Sequence, residues 1–421
     1  MKIAFIRTEY DPFGGAERFT QSLMDDLTQN GVEVHIFARK WKSDLRGNVH
    51  LHRIGGINSP SLLRHASFVL LVNRALRKEH FDLIQSNERT LFQHIYRAGD
   101  GVHARWLELR AAHQGILKRL SVAVNPFHLL ILWLERRLFE HPELRAVIVN
   151  SNMVRAEILS RFRIAESKIV TIYNGVDLNR FHPEHRGTLG KQLREEHGVS
   201  PDIHLALFLG SGFERKGLGQ VIQALAGTGP DTRLWVVGKG DGRRYLGIAQ
   251  KLGVASRVKF FGGQHNVERF YAAADFFVFP TLYDPFPSVV LEAMASGLPV
   301  ITTAQCGAAE IIEHGKDGFV LADPDESDRL AAYMNELSVV KKRSVMSGLA
   351  RRKAENFPWQ RTVDATLHLY RQLEPPPPYQ DQASSNPPLP GGREDICEPL
   401  PVNVGGYTKE KVLHDTGSIG Q

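Results

Sequence analysis

Short apolar runs alternate with amphipathic helical patterns along most of this 421-residue chain. After the first run, Phe19, Leu23 and Leu27 recur on one face of a helical stretch, and a second apolar run follows. The runs are KIAFIR, VEVHIFA, FDLIQS and AVIVNS, then IHLALFLGSG, RLWVVGKGDG, RVKFFGG, DFFVFPT, LPVITT and DGFVLAD. Because strands separated by helices pair in parallel, the pattern predicts an α/β fold built on parallel sheets.

The alternation is interrupted once and then stops. Asn174–Gly175 marks a turn within IVTIYNGVDLNRFHP, and the pattern restarts beyond it. Two doubly wound sheets joined near residue 175 are therefore predicted. Helical patterns continue to about Leu373, and residues 374–421 are rich in proline with little apolar periodicity, which predicts a disordered tail.

Composition and cysteine usage favour a cytoplasmic protein. The chain has no apolar run of the roughly 18 residues that a membrane-spanning helix needs, and its N-terminus reads as a first strand, not as a signal peptide. Cys306 and Cys397 lie far apart, with no metal-ligand spacing around either. We therefore expect neither a disulfide framework nor a zinc site.

The positive charge lies in the front half. Residues 1–180 hold 26 Lys and Arg against 18 Asp and Glu, a net +8, which leaves −2 for the remainder of the +6 chain. Basic residues flank the apolar stretch FHLLILWL: Lys118, Arg119, Arg136, Arg137 and Arg145. Peripheral contact with an anionic membrane and a core helix with solvated ends carry equal weight, whereas nucleic-acid binding is not expected.

Two loops that follow predicted strands carry features of a phosphate site. In YDPFGGAERF, Gly14 and Gly15 let the backbone approach a ligand closely, and a helix start follows. In FLGSGFERKGL, Arg215 and Lys216 follow the first strand of the second half. Cations at this position would stabilise the negative charge that develops on a departing diphosphate.

A third loop places two carboxylates eight residues apart. Asp284 lies on a loop held out of helix by Pro285 and Pro287, and Glu292 lies in the helix that follows, for which Ser288 is the predicted cap. Backbone N–H groups at such a helix start attract phosphate, and carboxylates accept hydrogen bonds from sugar hydroxyls. This polarity suits a nucleoside diphosphate sugar.

A fourth loop, RAGDGVHARW, offers Asp100 and His103. Either a carboxylate or a histidine would suit a residue that faces the anomeric carbon, and the sequence does not choose between them. The D-x-D pair Asp323 and Asp325 has the spacing of a metal site, but it directly precedes a helical pattern. Helix capping is the better interpretation, so no metal and no cofactor are expected.

These motifs together resemble the retaining GT-B glycosyltransferases of family 4. The motifs are FGGAE (13–17), NGVD (174–177), GSGFERKG (210–217), VVGKGD (236–241) and DPFPSVVLEAMASGLPVITT (284–303). The family has Glu where this chain has Asp284, which keeps the charge on a shorter side chain. The opening loop, GDGVHARWLE and the FERKG loop are most similar to the lipopolysaccharide-core glucosyltransferases that add α-glucose to the first heptose.

The resemblance implies two Rossmann-like domains that face a central cleft. Residues 1–172 would bind the acceptor and be completed by a C-terminal helix at about 356–373, and residues 173–355 would bind the nucleotide sugar. Glu292 would hold the ribose and Asp284 the donor sugar, while Arg215 and Lys216 would neutralise the leaving group. Gly15 and the backbone of Phe286, Pro287, Ser288 and Val289 would face the donor phosphates, and Asp100 or His103 would face the reacting sugar.

The expected function is the retaining, metal-independent transfer of a hexosyl group, glucose from UDP-glucose, to a lipopolysaccharide-core or other glycolipid acceptor. Two alternatives stay open. A nucleotide-sugar epimerase can share this architecture and would form product from donor alone, and a catalytically silent scaffold would bind without turnover. A dehydrogenase is disfavoured because FGGAE lacks the third glycine and Arg39 and Lys40 end the second strand.

Overall fold

The computed structural model describes residues 1–10, 15–41, 47–113 and 124–374, with the backbone alone for residues 15–18. Gly14 and the predicted disordered tail, apart from Glu374, lie outside the described residues. Residues 1–375 form one compact unit. None of the helices in the described ranges combines the length and the apolar character needed to cross a bilayer.

The first half is built on a seven-stranded parallel sheet in the order β5-β3-β1-β6-β7-β8-β9. Its strands, with the separate pair β2 and β4, are β1 (Lys2–Ile6), β2 (Glu9–Tyr10), β3 (Glu33–Ala38), β4 (Lys40–Trp41), β5 (Val49–Arg53), β6 (Leu83–Ser86), β7 (Ile95–Arg97), β8 (Ala146–Val149) and β9 (Ile169–Thr171). The helices described here are α1 (Gly15–Gln29), α2 (Ser61–Leu76), α3 (His103–Ala112), α4 (Pro126–Phe139) and α5 (Asn152–Arg161).

The second half is built on a six-stranded parallel sheet in the order β12-β11-β10-β13-β14-β15. Its strands are β10 (His204–Leu209), β11 (Thr232–Val237), β12 (Val258–Gly262), β13 (Phe276–Phe279), β14 (Val300–Thr303) and β15 (Gly318–Leu321). The helices in the described part of this half and after it are α6 (Leu189–Glu196), α7 (Leu218–Ala226), α8 (Gly242–Lys251), α9 (Glu268–Ala273), α10 (Ser288–Ala295), α11 (Ser327–Ser338), α12 (Val340–Ala354) and α13 (Trp359–Leu373).

The predicted fold class is confirmed: both sheets are parallel and doubly wound. Strand order reverses between β1 and β6 in the first sheet and between β10 and β13 in the second. Ligands bind open α/β sheets at such switch points, beyond the carboxyl ends of the strands. The fold therefore places two switch points where a ligand site is expected.

The last helix packs against the first sheet. Val363, Leu367 and Tyr370 of α13 are buried in the same core as strands β1, β3 and β6. The Tyr370 hydroxyl donates a 2.7 Å hydrogen bond to Gln85 Oε1 at β6. The chain thus crosses from the second half back to the first before the tail.

Two strands of the first sheet differ from the sequence interpretation. The run at Ile169–Thr171, where the alternation was interpreted as ending, forms the edge strand β9. Strand β5 has the sequence VHLHR, and no apolar run marks it. It pairs in parallel with β3 through the backbone, so its existence depends on its neighbour more than on its own side chains.

Candidate active site

A cleft of about 350 Å³ lies between the carboxyl ends of the central strands of the two halves. The first half contributes side chains that follow β1, β6, β7 and β8, and the second half contributes the loops after β10, β11 and β13. The polar and loop residues that line it include Arg7, Asn87, Arg97, Asp100, Asn150, Asn174, Gly210, Arg215, Lys216, Gly238, Lys239, Asp284, Phe286, Pro287, Ser288, Val289 and Glu292.

Lys216 and Asp284 form a buried ion pair on the floor of this cleft. Lys216 Nζ donates to Asp284 Oδ2, and Arg215 Nη1 lies 4.0 Å from the same oxygen. Their loops are tied together because the Arg215 carbonyl accepts hydrogen bonds from Leu282 N at 2.8 Å and Thr281 Oγ1 at 3.0 Å. Two predicted cations and one predicted carboxylate are therefore brought to one point.

The buried environment of the Lys216 ammonium favours the approach of a second anion. Burial lowers the pKa of its ammonium, and the Asp284 carboxylate opposes that shift. Nζ also lies 4.8 Å from the centroid of the Phe279 ring, so little water reaches it. A buried ammonium of this kind gains strongly from a second anion placed beside it.

The start of α10 differs in one respect from the prediction. Ser288 is the first helical residue, Pro287 occupies the cap position with φ −70° and ψ 124°, and no side chain caps the helix. The prediction that Ser288 caps the helix is wrong because Pro287 already has the extended backbone of a cap. Pro287 also has no N–H, so donors to a bound anion can come from Phe286, Ser288 and Val289.

Glu292 faces the cleft from the second turn of α10. Its Oε2 accepts a 2.8 Å hydrogen bond from the Tyr271 hydroxyl of α9. Tyr271 is fully buried, so the hydroxyl is a fixed donor. The carboxylate is thereby oriented before any ligand arrives.

The first half reaches this loop through a buried chain of hydrogen bonds. Arg97 Nη2 donates to Asn174 Oδ1 at 2.9 Å, and Asn174 Nδ2 donates to the Phe286 carbonyl at 2.8 Å. The Arg97 guanidinium lies 4.1 Å from the Phe19 ring centroid, and burial lowers its pKa to about 10, which leaves it cationic at neutral pH. The cleft wall therefore contains a buried arginine in addition to Arg215 and Lys216.

Two buried polar atoms in the cleft wall lack partners among the described residues. They are Arg97 Nη1 and Asn150 Oδ1. Buried polar groups are rarely left unpaired, so these atoms are expected to meet a ligand or ordered water. Neither Arg97 nor Asn150 has a role predicted from the sequence, and Asn174 is predicted only as a turn within the NGVD motif. Arg97 ends β7, Asn150 directly follows β8, and Asn174 lies three residues beyond β9.

Asp100 and His103, between which the sequence did not choose, lie in different places. Asp100 is exposed and lines the cleft. His103 begins α3, where its backbone N donates to Glu135 Oε1 at 2.8 Å and its Nε2 lies 3.1 Å from His128 Nδ1. It does not line the cleft, and burial lowers its pKa to about 3, so it is neutral at pH 7.

The opening loop is described only in part. Gly15 is the first residue of α1, and Gly14 precedes the described backbone. Phe19 and Thr20, one turn further along α1, line the cleft. The helix start is thus directed at the cleft, as expected for the loop after β1.

Asp323 and Asp325 do not cap the helix after them. Helix α11 begins at Ser327 with Glu326 at the cap position and no side-chain cap bond. Asp323 Oδ1 instead accepts from Asp325 N at 2.9 Å, and the two carboxylates lie 3.5 and 3.6 Å from Nε2 of His113, at the end of α3. The capping prediction is wrong because a histidine from the other half approaches these carboxylates.

Comparison with known families agrees with this geometry. Residues 13–180 match the Glycosyltransferase Family 4 domain, and residues 191–351 match the domain Glycosyl transferases group 1. The chain therefore belongs to the GT-B glycosyltransferases that join these two domains, as its motifs predicted.

Two similar individual proteins are named for lipopolysaccharide synthesis. The chain is 28% identical to the lipopolysaccharide glucosyltransferase WaaG of Escherichia coli K12, over 85% of this chain and 93% of that protein. It is 26% identical to the lipopolysaccharide core biosynthesis glycosyltransferase LpsE of Rhizobium meliloti, over 86% and 95%. The crystal structure of WaaG superposes with a TM-score of 0.78 at 26% identity, over 87% and 99%.

A more distant structure shares the fold alone. Anabaena Alr3699/HepE, solved in complex with UDP-glucose, superposes with a TM-score of 0.65 at 22% identity, over 88% of this chain and all of that chain. Both likenesses span the two halves, which supports the GT-B assignment.

Proposed function

We propose that this chain transfers a glucosyl group from UDP-glucose to a glycolipid acceptor of the lipopolysaccharide core, with retention of configuration at the anomeric carbon. The observation that carries the proposal is the group of Arg215, Lys216, Asp284 and Glu292 in one cleft beside the start of α10. The relatives WaaG and LpsE, named for lipopolysaccharide biosynthesis, support the acceptor class.

The donor would lie with its diphosphate between Lys216 and the N-terminus of α10. Glu292, fixed by Tyr271, would accept hydrogen bonds from the ribose hydroxyls, and Asp284 would meet the hydroxyls of the transferred sugar. The N–H groups at Phe286, Ser288 and Val289 would face the phosphates. Gly15, the first residue of α1, would approach the donor phosphate from the first half.

Transfer would proceed on one face of the sugar. The bond from C1 to the β-phosphate oxygen breaks, the acceptor oxygen bonds to C1 from the same side, and the departing phosphate oxygen takes the acceptor's proton. Arg215 and Lys216 stabilise the charge that grows on the diphosphate, which is the role a metal ion plays elsewhere. Asp100, which is exposed in the cleft, would orient the acceptor.

The acceptor would be reached at a membrane surface. Helices α2 and α4 pack together and expose Leu70, Leu129 and Trp133, and the Arg137 guanidinium lies 5.7 Å from the Trp133 ring centroid. Apolar side chains beside arginines suit the boundary of an anionic bilayer. We therefore place the protein peripherally on the cytoplasmic face of the plasma membrane; Lys118 and Arg119 lie outside the described residues.

The test is a donor and acceptor panel. Purified protein is incubated with UDP-, GDP- and ADP-sugars, with and without heptose-terminated core lipopolysaccharide and in the presence of EDTA, and nucleoside diphosphate release is followed. The expected result is acceptor-dependent UDP release from UDP-glucose that EDTA does not reduce, with an α-linked product by NMR.

Other outcomes discriminate among the alternatives. A new sugar nucleotide formed without acceptor would show an epimerase, and loss of activity in EDTA that Mg²⁺ restores would overturn the metal-independent step. Release from another donor would discard glucose. No release from any donor, together with tight UDP binding, would indicate the silent scaffold.

A further inference from the structure

A second cluster of polar side chains lies on strands β3 and β5 and on the segment after α2, and none of its members lines the cleft. Its members are His35 on β3, His52 on β5, Glu33 at the start of β3 and Glu79 just after α2. The proposed transfer reaction uses none of them. Imidazole and carboxylate together are the usual ligands of divalent zinc-like ions.

Three ligand atoms of this cluster converge. His35 Nδ1 lies 2.8 Å from His52 Nε2 and 3.8 Å from Glu79 Oε2, and all three atoms lie within 4.8 Å of one another. A tetrahedral zinc ion with bonds of about 2.0–2.2 Å spaces its ligand atoms about 3.3 Å apart. The two measured distances bracket that spacing.

The ligands are already oriented by a surrounding set of hydrogen bonds. His35 Nε2 lies 2.7 Å from Glu33 Oε1, so its proton is held there and the Nδ1 lone pair is directed at the cluster. Lys2 Nζ donates to Glu79 Oε1, which leaves Oε2 toward His35. A carboxylate behind a histidine and a donor behind a carboxylate are the arrangement that fixes ligands in metal sites.

The two histidines also have little freedom to turn away. His35 is 5% exposed, and its ring packs edge-to-face with the Phe81 ring. The ring of His52 stacks on Phe37, with centroids 4.4 Å apart and planes 4° from parallel. Binding an ion would therefore cost these two side chains less conformational entropy than it would cost a mobile surface histidine.

We propose that His35, His52 and Glu79 bind one divalent ion of the zinc class, with water as the fourth ligand. The ion joins the edge strand β5 to β3 and to the segment after α2, so its role is to stabilise the first half. His50 forms an alternative group with Glu33 and His35, but its Nε2 already lies 3.0 Å from Asn48 Oδ1, so we leave it outside the ligand set.

The test uses the full-length chain, stripped with chelator and titrated with Zn²⁺ by calorimetry and with Co²⁺ by visible absorption. The expected result is one equivalent bound, intense Co²⁺ bands of a four-coordinate site, and a higher Tm with metal. His52→Phe, which keeps an aromatic ring on Phe37, and Glu79→Gln should each weaken binding at least tenfold. Glu33→Gln should weaken it about 10- to 100-fold.

His50→Gln is the matched control, because it removes a histidine from the same strand. It should bind Zn²⁺ as the unmodified chain does. Failure of the unmodified chain to bind Zn²⁺ at 100-fold molar excess over protein would overturn the proposal, and so would equal loss in His50→Gln. If His52→Phe fails to fold by circular dichroism, Glu79→Gln decides, since its side chain is exposed and its loss leaves the core intact.

Discussion

Lys216 is the cleft residue on which we expect turnover to depend most. Its ammonium is buried against Asp284 and the Phe279 ring, and burial lowers its pKa. An incoming diphosphate would supply the second anion that this environment favours. Charge that grows on the leaving group then finds a cation that needs no reorganisation.

We predict that Lys216→Met lowers kcat about 100- to 1,000-fold, because one fixed cation beside the developing charge is lost. Steady-state kinetics with UDP-glucose and acceptor measure this. Lys316→Met is the control, since Lys316 is an exposed partner of Glu313 outside the cleft, and it should leave kcat unchanged. Full activity in Lys216→Met would show that the ion pair is structural.

Tyr271 tests the role of Glu292 without touching the carboxylate. Tyr271→Phe removes the 2.8 Å hydrogen bond that orients Glu292. The loss of about 1 kcal/mol should raise the KM for UDP-glucose about fivefold with little change in kcat. Tyr333→Phe, which removes a hydroxyl at 3.5 Å from His314, should change neither constant. A fall in kcat at constant KM would place Glu292 in the chemical step.

The cleft residues that the sequence predicted are recognised by local patterns, whereas those it missed are recognised only by their place in the fold. Arg215, Lys216, Asp284 and Glu292 carry charge on loops or helix starts after strong apolar strands, so local reasoning reached them. Arg97 and Asn150 acquire their significance from burial opposite the other half, which no local pattern encodes. Which of Asp100 and His103 lines the cleft likewise depends on where α3 begins and on the direction it takes.

At the scale of elements, the start of α7 holds Lys216 in place through one backbone turn. Gly217 has φ +81°, and a Cβ there would lie 2.0 Å from the Pro280 carbonyl oxygen. Gly217→Ala should therefore destabilise the fold by about 1–3 kcal/mol and reduce kcat as Lys216 shifts. Thermal unfolding and kinetics report the two effects.

Gly219→Ala is the matched control for this turn. Gly219 lies in the same helix with nothing within 4 Å of its added Cβ. Because alanine favours helix over glycine by up to about 1 kcal/mol, its Tm should stay the same or rise. Equal destabilisation by both changes would mean that the turn at Gly217 has no special constraint.

A strand could be predicted from the sequence to the extent that its own residues are apolar. Five of the six strands of the second sheet are apolar runs buried on both faces, and the edge strand β12 is apolar but only partly buried, so composition located them all. Strand β5 alternates histidine with apolar residues at the sheet edge and is partly exposed along its length, so its signal is weak. Its pairing with β3 comes from tertiary structure.

At the scale of the whole molecule, several contacts besides the hydrogen bond from Asn174 to Phe286 hold the described parts of the two halves together around the cleft. Glu310 of the second half accepts from Asn152 N at the start of α5, at 3.0 Å. Tyr283 donates to Glu157 Oε2 at 2.6 Å and accepts from Val102 N at 2.9 Å. His113 faces Asp323 and Asp325. The described arrangement is therefore the one in which the cleft is assembled.

The His113 contact should respond to pH. Burial by itself would lower the pKa of His113, but its hydrogen bond with the Leu109 carbonyl and the carboxylates of Asp325 and Asp323 outweigh burial and raise it. The stabilisation is then complete below the ordinary histidine pKa of about 6.5 and is lost as pH rises through the raised value.

We predict that His113→Gln lowers Tm at pH 5.5 and changes it little at pH 9, with an effect of at most about 1 kcal/mol because the carboxylates are exposed. Differential scanning calorimetry at both pH values measures it. His368→Gln, an exposed histidine beside Gln372, should show no such difference. A Tm loss equal at both pH values would indicate packing instead of charge.

The contacts of Tyr283 with the first half limit which front halves can be joined to this second half in a chimera. A Cβ on residue 101 would lie 2.2 Å from the Tyr283 hydroxyl, so the Tyr283 ring of the second half requires glycine at this position of the first half. Tyr283 directly precedes Asp284 in the chain, so this contact lies next to the cleft. A chimera that joins this second half to a foreign front half must import Gly101 and Glu157 with it. A front half without glycine and glutamate at these two positions is therefore expected to dock poorly on this second half.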